Sequence, residues 1–171
     1  MKSPVPEVEI DKPADWPSDL SVLRDYWLAS RGTRTMPRRG DISPAQLHMQ
    51  LPHILLADVI DGGRDFRYRL VGLQLLPFFH FEPSGRLMSD VLAPFGETTR
   101  QATLESYRSV IRRRAPMRIT GSGTVYGQDP KHFDALLAPL SEDGISVDAI
   151  LGTFVFVWDP AHAFRPPQTG A

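Results

Sequence analysis

The chain has 171 residues, 42% of them hydrophobic, and 19 Lys and Arg against 20 Asp and Glu give it a net charge of −1. A chain of that length fits one domain with tails and buries about two-thirds of its unfolded surface, so it needs no metal or disulfide to fold. It contains no cysteine, which excludes disulfides, thiolate metal sites, a cysteine nucleophile and a flavin–cysteine adduct, and its balanced charge supplies no global positive field for nucleic acid.

The N-terminus, MKSPVPEVEIDKP, lacks the apolar core of a signal peptide. No apolar run approaches the roughly 18 residues of a membrane span, so a soluble cytoplasmic protein is expected. Residues 1–17, rich in proline and acids, are expected to form a flexible arm, 18–159 a single domain and 160–171 a flexible tail. A helix is expected from about Ser18, whose hydroxyl could cap it, with Asp19 at the positive end of its dipole. Leu20, Leu23, Trp27 and Leu28 recur at helical spacing with Tyr26 at the stripe's edge, and Gly32 is a stop. TRTMPRRGD at 33–41 is irregular. Ser43-Pro44 reads as the opening of a short helix that ends before Leu51-Pro52.

Ile54–Ile60 reads as a strand, and the DGGRD run that follows as a tight turn. Phe66 to Val71 alternates, placing Phe66, Tyr68 and Leu70 on one face and Arg67 and Arg69 on the other. Gly72 is expected to adopt backbone angles other residues resist, letting the chain leave the sheet. LQLLPFFHF at 73–81 should be helical in part, and Ser89–Leu92 a single turn. Thr98–Arg114 is the clearest helix, buried along Leu104, Tyr107, Val110 and Ile111 and stopped at Ala115-Pro116. Strands are then expected at Met117–Tyr126, His132–Leu140 and Val147–Trp158, with turns at 127–130 and at Asp143-Gly144. The last strand is apolar at nearly every position, so it should be central and covered on both faces.

Chemistry-bearing patterns are sparse. His80, among aromatics, suits a haem or other ligand, though a histidine capping the end of an apolar helix or half exposed there is the plainer reading. Arg67 and Arg69 could grip an anion bidentately, or form a solvated strand face. Arg112-Arg113-Arg114 fits the negative end of a helix dipole without any phosphate backbone. The loop Met36–Asp41 could dock a partner or simply connect. Gly121-Ser122-Gly123 has no helix start behind it, which rejects a phosphate loop. His132 and Asp134 share a strand face, but two ligands are too few for a metal. No serine sits in a nucleophile elbow, and no acid–base pair stands out.

The order of elements, with YWLASRG at 26–32, MPRRGDISP at 36–44, LPHILLADV at 51–59, DFRYRLVG at 65–72, Gly85-Arg86, LLAPLSEDG at 136–144 and ILGTFVF at 150–156, resembles a bacterial PAS-like family, often a stand-alone PAS domain, over Leu20 to Trp158. The resemblance implies an α+β fold, a five-stranded antiparallel sheet with helices on one face around a small pocket, plus the N-terminal helix. It also implies sensing or signalling, often as homodimers, and specifies no cofactor. The sequence departs from the family where Gly72 is followed by Leu73 rather than threonine, and in FFHFEPSGR at 78–86, so the pocket mouth is expected to differ. The pocket-lining residues expected to bind a small ligand are Tyr68, Leu70, Leu75, Phe79, His80, Leu92, Leu104, Tyr107 and Phe154. Trp27, Arg38, Arg39, Arg67 and Arg69 are the residues expected to meet a signalling partner. Two alternatives stand beside this reading, an interaction adaptor whose pocket is filled by its own side chains and, more remotely, a small-molecule enzyme.

Overall fold

Strands β5 (His132–Leu140) and β6 (Ala149–Val157) lie in the middle of the sheet and explain the rest of the architecture. The computed structural model describes residues 7–8, 17–79, 81–121 and 132–158. The other strands are β1 (Glu7–Val8), β2 (Ile54–Ile60), β3 (Asp65–Val71) and β4 (Met117–Gly121). Their order across the sheet is β1-β4-β5-β6-β2-β3, with every pairing antiparallel. The five expected strands are present, and the two-residue β1 extends the sheet beyond β4. Three α-helices accompany them among the described residues: α1 (Ser18–Arg31), α2 (Met88–Leu92) and α3 (Glu97–Arg113).

Side chains along a strand point to alternate faces, yet every residue from Asp134 to Ser141 is buried. Both faces of β5 are therefore covered, and α1 and α3 are the helices that pack on it. Phe66 meets Tyr107 of α3 and Tyr68 meets Phe79, so Phe66 and Tyr68 define an inner face beneath α2, α3 and the segment before them. The opposite, outer face carries α1 and the loop that follows it, which reaches Asp58 of β2 through Arg39. Leu20, Leu23 and Trp27 of α1 are buried there. Trp27 donates its indole N–H to the Pro139 carbonyl at 2.7 Å.

Pro139 lies inside β5, where a proline ordinarily interrupts a ladder. β4 pairs with β5 only from Leu137 back to Phe133. Pro139 thus sits past the end of β4, where no ladder bond is asked of its nitrogen, and its carbonyl is left for Trp27.

Local chemistry differs from expectation at three places, and at a fourth it makes an expectation specific. Pro17, not Ser18, precedes the first turn of α1, and its carbonyl accepts the Leu20 and Ser21 N–H groups at 3.1 Å; no side chain caps the helix. The run after Ser43-Pro44 makes successive turns, with Leu47 N–H to Ser43 and Leu51 N–H to Leu47, rather than a continuous helix. The partly helical segment expected at 73–81 takes the form of a 3-10 turn, Leu76–Phe78, among its described residues. Gly72 has no positive φ; its place is explained by space, because a Cβ there would collide with the Leu51 and Pro52 carbonyls. The expected strand end at 122–126 and the turn at 127–130, like the N-terminal arm beyond β1 and the tail after Trp158, lie outside the described residues.

Candidate functional site

The inner face is built from alternate positions of five strands, β2 to β6, and roofed by α3, α2 and the segment Leu75–Phe79. Tyr68 is 1% exposed and meets the Phe79 ring edge-on at 5.5 Å, and Phe66 meets Tyr107 at 5.1 Å. Leu75, Phe79, Leu92, Leu104 and Tyr107 join the same buried cluster, and Phe154 packs against it half-buried. Seven of the nine residues expected to line a pocket are therefore brought together. Aromatic contacts of this kind add about 0.5–1.5 kcal/mol beyond the area they bury.

Leu70 is not among them. β2 and β3 shift register between Leu56 and Ala57, so that Leu56 faces Leu70 but Ala57 faces Tyr68, and Arg69 becomes the extra residue of a bulge. The bulge reverses the phase of the strand: Leu70 lies with Leu56 and Asp58 on the outer face and is 38% exposed. His80 lies outside the described residues.

Sequence reasoning missed an aromatic extension of the inner face. Phe154, Phe156 and Trp158 stand two apart along β6 and just beyond it, and so share a side. Phe78 stacks on Phe156 at 4.1 Å and lies 6.0 Å from Trp158, while Phe133 stands 6.3 Å from Phe156. The FVFVW spacing carries this signal; reading the last strand as uniformly apolar hides it.

On the outer face, Asp58 is the organising group. Its carboxylate, 14% exposed, receives Arg39 on one oxygen and Arg69 on the other. Burial pushes its pKa up, but the hydrogen bonds and charges of Arg39 and Arg69 together outweigh that and hold it below its ordinary value of 3.8. Arg67 is the register partner of Asp58. Its Nε is shielded from solvent and has no hydrogen-bond partner among the described residues. Arg38 is exposed, and its backbone N–H donates to Asp41 at 2.7 Å.

The expected partner residues therefore divide. Arg38, Arg39 and Arg69 are exposed and Arg67 is half-buried. Trp27 is 1% exposed and bonded to β5, so it anchors α1 to the sheet instead of presenting itself to a partner. Arg118 claims the Asp134 carboxylate at 2.7 Å, and His132 stands 3.9 Å from that same group, which gives an arginine pair rather than a pair of metal ligands.

A family model described as the PAS domain matches residues 17–155. Among solved structures, the PAS domain from Bordetella pertussis BvgS superposes with a TM-score of 0.51 at 16% sequence identity, covering 70% of this chain and 90% of that one; at that identity the likeness speaks for the fold. No curated protein matches the chain. No helix among the described residues is long and apolar enough to cross a membrane.

Proposed function

This chain belongs to the PAS domain family, whose members are sensory and regulatory modules, and we propose that it binds a small molecule at the inner face of its sheet and passes the resulting change to a signalling partner, with no catalysis of its own. The observation that carries the reading is the roof of the inner face. Leu75–Phe79 covers Tyr68 through one 3-10 turn and a ring contact, a cover far lighter than a helix. A ligand that displaced the Phe79 ring would favour one packing of this segment over another. A tenfold switch requires the two states to differ by about 1.4 kcal/mol in affinity for the ligand, the scale of a few side-chain contacts. The proposal extends to a cytoplasmic homodimer.

The test is native mass spectrometry of freshly purified protein beside its denatured mass, with an absorption spectrum from the same sample. A surplus mass lost on denaturation supports the reading, and the spectrum assigns the class of any coloured ligand. The same masses report monomer or dimer.

A second reading is favoured by the ring contacts themselves. Tyr68 with Phe79 and Phe66 with Tyr107 already fill space between sheet and roof, as an adaptor with a self-filled core would require. In that case Phe79→Ala leaves a cavity and costs about 3–5 kcal/mol in denaturant melts. A site that holds a ligand tolerates the same trimming at much smaller cost.

A further inference from the structure

We propose that the outer side of the β2–β3 hairpin is a docking surface for an acidic segment of a partner protein, one that carries carboxylates beside an apolar side chain. The inference rests on the reading that this module passes its signal to a partner, and names where and by what chemistry.

The first observation is charge left unspent. Arg39 gives Asp58 one Nη group and Arg69 gives it Nε. A guanidinium has five N–H donors in a planar fork. Both side chains remain close to half exposed, at 45% and 48%. Among the described residues neither has a second carboxylate. Glu142 is near, but its carboxylate takes the Arg39 backbone N–H at 3.2 Å.

The second is Arg67. It stands opposite Asp58 in register, yet no acid among the described residues pairs with it, and its Nε is shielded without an acceptor. Its Nε is closed to an outside ligand, so what the half-buried Arg67 adds beside two half-used guanidiniums is a positive charge with no acid of its own, which favours an anion from outside the chain.

The third is the bulge. It puts Leu70 on the same side as Arg67 and Arg69, and Leu73 just beyond is 75% exposed. Cations beside an exposed leucine fit a peptide better than a phosphate backbone, which calls for a broad positive face. The chain as a whole carries −1, so the positive charge is local, and local complementarity is what selects a protein partner.

The probe is a fluorescein-labelled synthetic peptide alternating glutamate and leucine, titrated against the full chain by fluorescence anisotropy. Its lysine-for-glutamate counterpart, inorganic phosphate and a short single-stranded oligonucleotide serve as competitors. The acidic peptide should bind, and Arg67→Gln together with Arg69→Gln should weaken it about tenfold or more, the loss expected for charge-assisted hydrogen bonds. Leu70→Ser should weaken it several-fold. Arg67→Gln alone breaks no ion pair among the described residues, so it reads the surface even where the double variant folds poorly. The Arg67 Nε–Hε signal in NMR should shift as the peptide is added.

Peptide binding that is unchanged in folded Arg67→Gln and in the double variant overturns the proposal. So does equal binding of the lysine peptide, or displacement by phosphate or oligonucleotide as effective as by the acidic peptide itself. The inner-face reading fails separately. A missing surplus mass in the native spectrum says nothing about these arginines.

Discussion

Asp58 concentrates the electrostatics of the outer face in one carboxylate, and its replacement has a signed pH dependence. The folded protein holds its pKa below the ordinary 3.8. Its contribution is therefore fully present above that value and is lost as pH falls through the lower, folded value. Asp58→Asn should cost about 1–2 kcal/mol near neutral pH, a modest figure because Arg39 and Arg69 are nearly half exposed and screened. In urea melts the gap between wild type and variant should narrow below about pH 4. A gap that stays constant down to pH 2.5 would mean the ion pairs contribute nothing. Thr153 poses the opposite case. It is fully buried on β6 between Ile54 and Leu136, and its hydroxyl has no partner among the described residues. Thr153→Val keeps the shape and removes an unsatisfied polar group, so the midpoint of unfolding should rise, by about 1 kcal/mol. Gly72→Ala should do the reverse and cost about 2–3 kcal/mol, because the new methyl meets the backbone carbonyls of Leu51 and Pro52, which cannot swing aside.

Elements show which parts of the fold are legible in a sequence and which are decided elsewhere. α3 and β6 follow from local pattern alone: helical spacing of Leu104, Tyr107 and Val110, and a run apolar at nearly every position whose most comfortable place is the middle of a sheet. The β2–β3 hairpin is equally plain in its glycines, and Gly63 additionally lets the turn approach Ile111 of α3 while Arg108 donates to the Gly63 carbonyl at 2.9 Å. The phase of β3 beyond Tyr68 is not local. It depends on where β2 shifts register, so Leu70 reads as inward until its partner Leu56 is known. Trp27 is ambiguous for the same reason, since an aromatic on an amphipathic helix suits a partner as well as a core. What decides it is the Pro139 carbonyl, a residue 112 positions away along the chain. β1 depends on β4 in the same manner. The anchoring of α1 is testable at this scale. Trp27→Phe removes the indole donor and leaves the Pro139 carbonyl unpaired, at a cost of about 1–3 kcal/mol. Limited proteolysis should then cut near Gly32 before the sheet is attacked. Unchanged stability and an unchanged digest would show that α1 is held by its leucines alone.

For the whole molecule the question is whether the inner face can open while the sheet stays closed, because a sensor needs that separation and an adaptor does not. β5 and the Ala149–Thr153 half of β6 are paired on both edges over most of their length and buried on both faces, whereas Phe154–Phe156 are half-buried and Val157 is exposed. Their amides can exchange only when the domain unfolds as a unit. The roof is held differently. Phe78 and Phe79 donate their N–H groups within their own turn, at 3.0 and 2.9 Å, and no strand among the described residues pairs with them. What fixes the turn is side-chain packing, Phe79 on Tyr68 and Phe78 on Phe156. Breaking those contacts disturbs no ladder bond, so the roof should open at far lower free energy than the sheet. Hydrogen exchange followed by mass spectrometry should therefore show peptides spanning 75–79 exchanging orders of magnitude faster than those spanning 135–140 or 149–153, and denaturant should accelerate them only weakly, as small local openings require. A small molecule lodged beneath Phe79 should slow the first set and leave the second untouched. If 75–79 instead exchanges in step with β6, with the same denaturant dependence, the roof is part of the global core. The inner face then has no state of its own to switch, and the outer arginines would belong to a rigid adaptor.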